Sequence, residues 1–244
     1  MIRTAALQKS RAARIDVVPL RRADHADYLA LLDLTTSGAG VPREAGQILA
    51  LPPLRALFTH GPALCLSARS RRSSNPKPVG AVFASFPDWA HEHPLTRQDP
   101  ELSDLLGRTA LLVYGLAVTP RCRRQGVARA LLAGAEGRAR HTGYRLATLI
   151  HQPELAPFYR RLGYTSANHV TIVMPHAAMG LTQPPPFMTA VKALHADVHI
   201  RTVPGAPGPV VTGLLPGWEI PPTVRFHNGE LIACSPTVHY PCLL

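Results

Sequence analysis

The run Arg123-Arg124-Gln125-Gly126-Val127-Ala128 has the composition of an anion-holding turn. It follows an unbroken apolar stretch, Leu111 to Val118, which reads as a buried strand stopped by Pro120. It precedes Val127 to about His141, where Val127, Leu131 and Leu132 share one helical face and Ala130, Ala133 and Ala135 permit close packing. The first N–H groups of a helix have no intrahelical acceptor and lie at the positive end of its dipole, so a strand, turn and helix in this order suit a phosphate. Gly126 and Ala128 keep bulk away from a pyrophosphate, and Arg123, Arg124 and Arg129 add charge beside it. The pattern is neither the Gly-x-Gly-x-x-Gly of dinucleotide sites nor a P-loop, which ends in Gly-Lys-Ser/Thr. A solvated surface turn has the same composition, and the six residues alone leave both readings open.

A second segment lies downstream: Leu155-Ala156-Pro157-Phe158-Tyr159-Arg160-Arg161-Leu162-Gly163-Tyr164. Together the two segments resemble the GNAT-type N-acetyltransferase superfamily. The first is similar to its acetyl-CoA signature, Arg/Gln-x-x-Gly-x-Gly/Ala after a strand, and the second to its Phe-Tyr-x-x-x-Gly-Phe/Tyr segment. The resemblance covers roughly residues 15 to 193, and through "LAVTPRCRRQG" and "ELAPFYRRLGY" it extends modestly to the arylalkylamine branch. It implies an α/β (α+β) fold with a mixed, mostly antiparallel central sheet flanked by helices. It also implies direct attack of an amine on the thioester of acetyl-CoA, as co-substrate, with no covalent enzyme intermediate.

Residue by residue, the resemblance assigns the pyrophosphate to the backbone of Arg124, Gln125, Gly126, Val127 and Ala128, with Arg123 and Arg129 nearby. It assigns the pantetheine arm to backbone groups of Leu116, Ala117 and Val118, one N–H of which would face the thioester oxygen. Gln152 stands where many relatives place an asparagine that contacts CoA. Tyr159 matches the tyrosine that donates a proton to the CoA sulfur, and a phenol ionises close enough to a thiol for that task. The match thins at the base. Where relatives carry a strand glutamate, or two histidines in the arylalkylamine branch, this chain has Tyr114 and Leu112. Tyr114 could order a water, but a neutral phenol is a poor base near pH 7. His151, after the next strand, has a suitable range for proton shuttling. His91, Glu92 and His93 are loop alternatives, and an amine arriving neutral needs no base.

Around these residues the chain alternates short strands and helices. Strands are expected at Ile15–Val18, 63–68, 79–86, 145–150, 170–174 and 187–194, the last two as a closing pair. Helices are expected over Arg21–Leu34, in a proline-interrupted region from Gln47 to Phe58, and from Pro153 to Gly163. Residues 69–78 read as a polar hairpin loop whose Arg69, Arg71 and Arg72 are solvated. Residues 87–108 read as a loop over the acceptor, with Trp89 as a wall for an apolar substrate. His91-x-His93 near acids has too few ligands for a metal, and none is expected. Beyond residue 194, Thr223 to Ala233 is a hairpin candidate because Asn228-Gly229 suits a type I′ turn. The organisation expected is a basic, disordered arm (1–14), an acetyltransferase domain (15–194), and a β-rich extension (195–244) packing on that domain or on a partner subunit.

The net charge of +11 is carried almost wholly by arginine and suits anionic partners such as CoA. No apolar run is long enough for a membrane span, and no membrane partner is expected. The four cysteines show no CxxC spacing, so reduced thiols in a cytoplasmic chain are expected rather than a zinc site or disulfide framework. The function expected is N-acetyl transfer to a primary amine of a small molecule. The alternatives are a carrier-protein or aminoacyl-tRNA donor on the same fold, and a non-catalytic acyl-CoA-binding module. Nucleic acid other than tRNA is not favoured, and a homodimer is compatible with the sequence.

Overall fold

The computed structural model describes residues 15–35, 63–70, 77–174, 177–215, 225–227, 230–232 and 239–243. The basic arm, the proline-interrupted helical region, Arg71, Arg72 and the Asn228-Gly229 turn lie outside the described residues. The chain divides into two compact units.

The first unit comprises residues 1–53, 64–83 and 115–135. Its strands are β1 (Ile15–Pro19), β2 (Ala63–Ser70), the start of β3 (Gly80–Ser85) and the end of β4 (Ala110–Val118), neighbours in that order. β1 runs antiparallel to β2, with Val17 opposite Ala68. Helix α1 (His25–Leu32) buries Tyr28, Leu31 and Leu32, and the Tyr28 hydroxyl donates to the Val82 carbonyl at 2.5 Å. Arg69 is buried and paired with Asp24, so it belongs to the strand and not to the solvated loop expected of it.

The helix after the basic turn, α5 (Val127–His141), lies in this unit up to Ala135. It comes down close on the strands because two glycines leave it room. A methyl on Gly80 would stand 2.9 Å from Val127 Cγ1, 3.0 Å from the Ala117 carbonyl oxygen and 3.0 Å from Leu131 Cδ1, and one on Gly134 would stand 2.9 Å from Val17 Cγ1. Glycine inside a strand marks such close approach. It is this packing that fixes where α5 begins.

The second unit comprises residues 54–63, 84–114 and 136–244. Residues 87–108 form three capped helices rather than a loop: α2 (Trp89–Glu92), α3 (Pro94–Arg97) and α4 (Pro100–Thr109). Asp88 and Asp99 accept N–H bonds from Trp89 and Leu102, Nδ1 of His93 accepts from Leu95, and Pro94 and Pro100 open the last two helices. Trp89 packs against the main hydrophobic cluster, with Ala90, Leu106, Ile172 and Val191.

Here β4 (from Ala110) is followed across the sheet by β5 (Leu146–His151), β9 (Met188–Ala193) and β6 (Thr165–Ala167). β4 and β5 are parallel and their register covers Ala110–Val113 with Leu146–Leu149. β9 runs antiparallel to β5 along its whole length and to β6 on its other edge. Both edges of β9 are therefore filled, which corrects the expected pairing of 170–174 with 187–194. β7 (His169–Met174) pairs instead with β8 (Ala177–Thr182), whose Ala- and Gly-containing sequence has little strand propensity.

A second sheet forms in the order β10 (His199–Arg201), β11 (Val210–Thr212), β7, β8, β14 (His239–Leu243), β13 (Glu230–Ile232), β12 (Arg225–His227). β12 and β13 form the expected hairpin, with His227 opposite Glu230. β7 is covered on both faces: Val170, Ile172 and Met174 join the main cluster, and Val173 packs with Ala178, Val203 and Val210.

Gly80→Ala is expected to destabilise the protein by roughly 1–3 kcal/mol, the cost of overpacking against a carbonyl that cannot yield. Gly137→Ala, on the same helix with open space around the new methyl, is expected to stabilise by about 0.5–1 kcal/mol. Urea unfolding of the two variants distinguishes them.

Candidate active site

The basic turn is built as a cradle. After β4 a 3-10 turn at Pro120–Cys122 leads to Arg123 in extended conformation, Arg124 at φ 59° and Gly126 at φ 82°. Positive φ is disfavoured for a residue with a Cβ, so the Arg124 conformation carries local strain of the kind that gathers at ligand clamps. α5 then starts at Val127, and the Ala130 N–H donates to the Gly126 carbonyl at 2.9 Å. The N–H groups of the first turn have no such partner within the helix.

A Cβ placed on Gly126 meets nothing within 4 Å, so the cradle is open above the backbone. Val127 is buried and anchors the helix, while Arg121, Arg123, Arg124, Gln125 and Arg129 are exposed and Ala128 is half-buried. Two side chains stiffen the bend: Nε2 of Gln125 donates to the Arg121 carbonyl at 2.9 Å, and Nε of Arg123 donates to the Val118 carbonyl at 3.3 Å. That contact occupies a strand carbonyl in the stretch assigned to pantetheine, and it uses one of the five guanidinium donors. The Thr119 N–H donates to the Val79 carbonyl at 3.0 Å, tying the strand end to β3. Within β4, Ala117 is buried and Leu116 and Val118 are half-buried.

The second unit holds the titratable candidates. Tyr159 lies on α6 (Ala156–Arg161), a short helix entered from Pro153 and left through Gly163 at φ 85°. Its side chain is buried, with ring centroids 4.9 Å from His151, 5.0 Å from Phe158 and 5.8 Å from Tyr164. Burial pushes its phenol up to about 12. Such a phenol stays protonated at neutral pH, as an acid must. A free thiol ionises near 8.5, so complete transfer to a solvated thiolate would run uphill. The simple matching of ranges expected from the sequence therefore does not hold for this buried phenol.

His151 is buried at the end of β5, with Nδ1 2.7 Å from the Gln152 carbonyl and Nε2 2.8 Å from Ser166 Oγ. Tyr114 is half-buried; its hydroxyl donates to the Phe86 carbonyl at 3.1 Å and accepts the Asp88 N–H at 3.0 Å, which holds the entry to α2. The structure thus brings Tyr159 and His151 together and gives Tyr114 an anchoring task. His91 and His93 turn to different partners. His91 Nδ1 lies 2.5 Å from Ser103 Oγ, and His93 caps α3. Gln152 opens the 3-10 turn before α6.

Sequence reasoning missed Glu136 and Ser166. Glu136 is buried on α5 and accepts from Tyr164 (3.0 Å), Lys192 (2.6 Å) and Arg140 (3.3 Å). Its carboxylate helps push the Tyr164 phenol far up, after burial itself. A lone acid between Ala135 and Ala139, on the apolar side of a helix, was the signal available. Nothing in the sequence marked Ser166.

Residues 78–166 match the family model described as an acetyltransferase (GNAT) domain, a span that holds both the basic turn and the Phe158–Tyr164 segment. A comparison with curated proteins finds no match. Among solved structures, NAA60 of Arabidopsis thaliana in complex with acetyl-CoA is 15% identical, with TM-score 0.48 over 73% of this chain and 97% of that one. The ribosomal-protein-S18-alanine N-acetyltransferase of Escherichia coli is 12% identical, with TM-score 0.45 over 74% and 94%. Nourseothricin acetyltransferase is 20% identical, with TM-score 0.44 over 74% and 99%.

Burial raises the phenols of Tyr28, Tyr144, Tyr159 and Tyr164 above 10, those of Tyr144 and Tyr159 to about 12. Below pH 10 folded and unfolded chains both keep these protons. Above it the unfolded chain loses them first, so folding stability is expected to fall as pH rises from 10 towards 12. Absorbance at 295 nm should show tyrosinate appearing later in the folded protein than in urea, and coincident titrations would contradict this. The stretch of this chain that is similar to an acetyltransferase (GNAT) domain, residues 78–166, thus includes both the open turn at Gly126 and the buried phenol of Tyr159.

Proposed function

We propose that the protein transfers an acetyl group from acetyl-CoA to a primary amine of a small molecule, in the cytoplasm. The observation that supports the donor assignment is the open turn at Gly126, where a Cβ would meet nothing within 4 Å at the start of a fifteen-residue helix.

Bound acetyl-CoA supplies the activated acyl thioester. The backbone of Arg124, Gln125, Gly126, Val127 and Ala128 would receive its diphosphate, with Arg123 and Arg129 contributing charge and reach. Backbone groups of Leu116, Ala117 and Val118 would align the pantetheine arm, as the family resemblance implies, with Gln152 as a further contact. For that, Arg123 exchanges its bond to the Val118 carbonyl for the ligand. Tyr159 holds a proton at its phenol oxygen for the departing sulfur. The proton that the amine nitrogen loses on forming the amide restores the phenol, directly or through water, so the enzyme ends as it began. Tyr114 and His151 have their polar atoms engaged, and neither is assigned as a base; an amine that arrives neutral needs none.

Gly126→Val should lose acetyl-CoA binding in calorimetry, because a side chain at φ 82° both strains the turn and fills the cradle. Tyr159→Phe should keep binding and lower kcat by roughly 10²-fold, in the range of general acid catalysis, in a thiol-release assay over a panel of amines. Binding without turnover by the wild type would point to an acyl-CoA-binding module. No binding of free CoA, with turnover steeply dependent on salt, would point to a carrier-protein or tRNA donor.

A further inference from the structure

His151 and Ser166 lie on strands that do not touch. β5 and β6 occupy opposite edges of β9, with His151 opposite Met188 and Ser166 opposite Ala190. Residues directly opposite in a ladder share a face, as do residues two apart along a strand. His151, Met188, Ala190 and Ser166 therefore lie on one face, and the imidazole reaches past β9 to Ser166. Ala190 is fully buried, and a residue as small as alanine at that position leaves the ring room to cross.

The hydrogen bonds of the imidazole define its tautomer. The Gln152 carbonyl can only accept, so Nδ1 carries the proton it receives at 2.7 Å. In the neutral ring Nε2 is then an acceptor, filled by the Ser166 hydroxyl at 2.8 Å. Bonds at both nitrogens fix the ring plane. Against this fixed plane lies Tyr159, 4.9 Å away between centroids and tilted by 39°, with Tyr164 edge-on at 71° and Phe158 at 68°.

We infer that Ser166 and His151 form a positioning pair, which holds the Tyr159 ring in the one orientation that directs its hydroxyl at the leaving group. The inference rests on the reading of Tyr159 as the acid and gives His151 a different task from the proton shuttle expected of it. Removing the serine hydroxyl frees Nε2, lets the imidazole rotate, and loosens the surface on which the phenol lies. The donor's diphosphate is bound elsewhere in the chain, so its affinity should not change.

The test uses the full chain, acetyl-CoA, and whichever amine of a panel of primary alkyl- and arylalkylamines the wild type turns over fastest. Ser166→Ala is expected to lower kcat about tenfold, equivalent to about 1.4 kcal/mol in the transition state. KM for acetyl-CoA and Tm should stay at the wild-type values, and Ser166→Thr, which keeps the hydroxyl, should restore kcat. In a Tyr159→Phe background Ser166→Ala should have no further effect, because the two changes act through one group. If Ser166→Ala melts early, Ser166→Cys, close in size with a weaker donor, should show the same loss of kcat. Wild-type kcat in both the alanine and cysteine variants, or an equal loss in the phenylalanine background, overturns the pair while leaving Tyr159 as the acid. Wild-type kcat in Tyr159→Phe itself overturns the acid and the pair together.

Discussion

A carboxylate held almost out of water at Glu136 is the constraint on which the second unit depends. Left unpaired there, a charge of this kind costs several kcal/mol, so each bond it accepts is obligatory. Those bonds come from three places in the sequence: Arg140 one turn along the same helix, Tyr164 just after the helix of Tyr159, and Lys192 on β9. The carboxylate thereby fixes the end of α5, the exit from α6 and the strand that carries both β5 and β6. Lys192 also lies 5.3 Å from the centre of the Tyr164 ring, so the cation is shared between the acid and the aromatic face. Tyr164 is in turn one wall of the enclosure around Tyr159.

The first unit solves a different problem. The turn proposed to receive a diphosphate exposes bare backbone, which is costly to hold in place because glycine loses the most freedom on ordering. Here the order is imposed from below. Gly80 and Gly134 let α5 descend until Val127 and Leu131 lock into the strands, and the turn above inherits that rigidity. Gln125 and Arg123 complete the bracing with bonds to carbonyls of the same loop and strand. What then lies exposed is Gly126 with Arg123, Arg124 and Arg129 around it.

Much of this could be read along the chain. The strand, turn and helix around Gly126 were legible because hydrophobic periodicity, a stop at Pro120 and a glycine at the bend all speak locally. The α6 segment was legible for the same reason, with Pro153 before it and Gly163 after it. The three helices between Asp88 and Thr109 were missed although their caps were present, because each of the first two spans only four residues, too few for a period to show. β8 was missed because its stability comes from β7 and β14 on its two sides rather than from its own residues.

The sequence by itself determined the local devices: the basic turn, the buried strand before it, and the Phe158–Tyr164 segment with its phenol. These depend on residues within a few positions of one another, where backbone preference and charge act without outside help. Only the tertiary structure decided which groups are engaged. Tyr114 is tied to Phe86 and Asp88, His151 to Ser166 and Gln152, and Arg69 to Asp24. The physical reason is that a polar atom's partner is selected by burial and sheet register, and register is set by strands far apart in the chain.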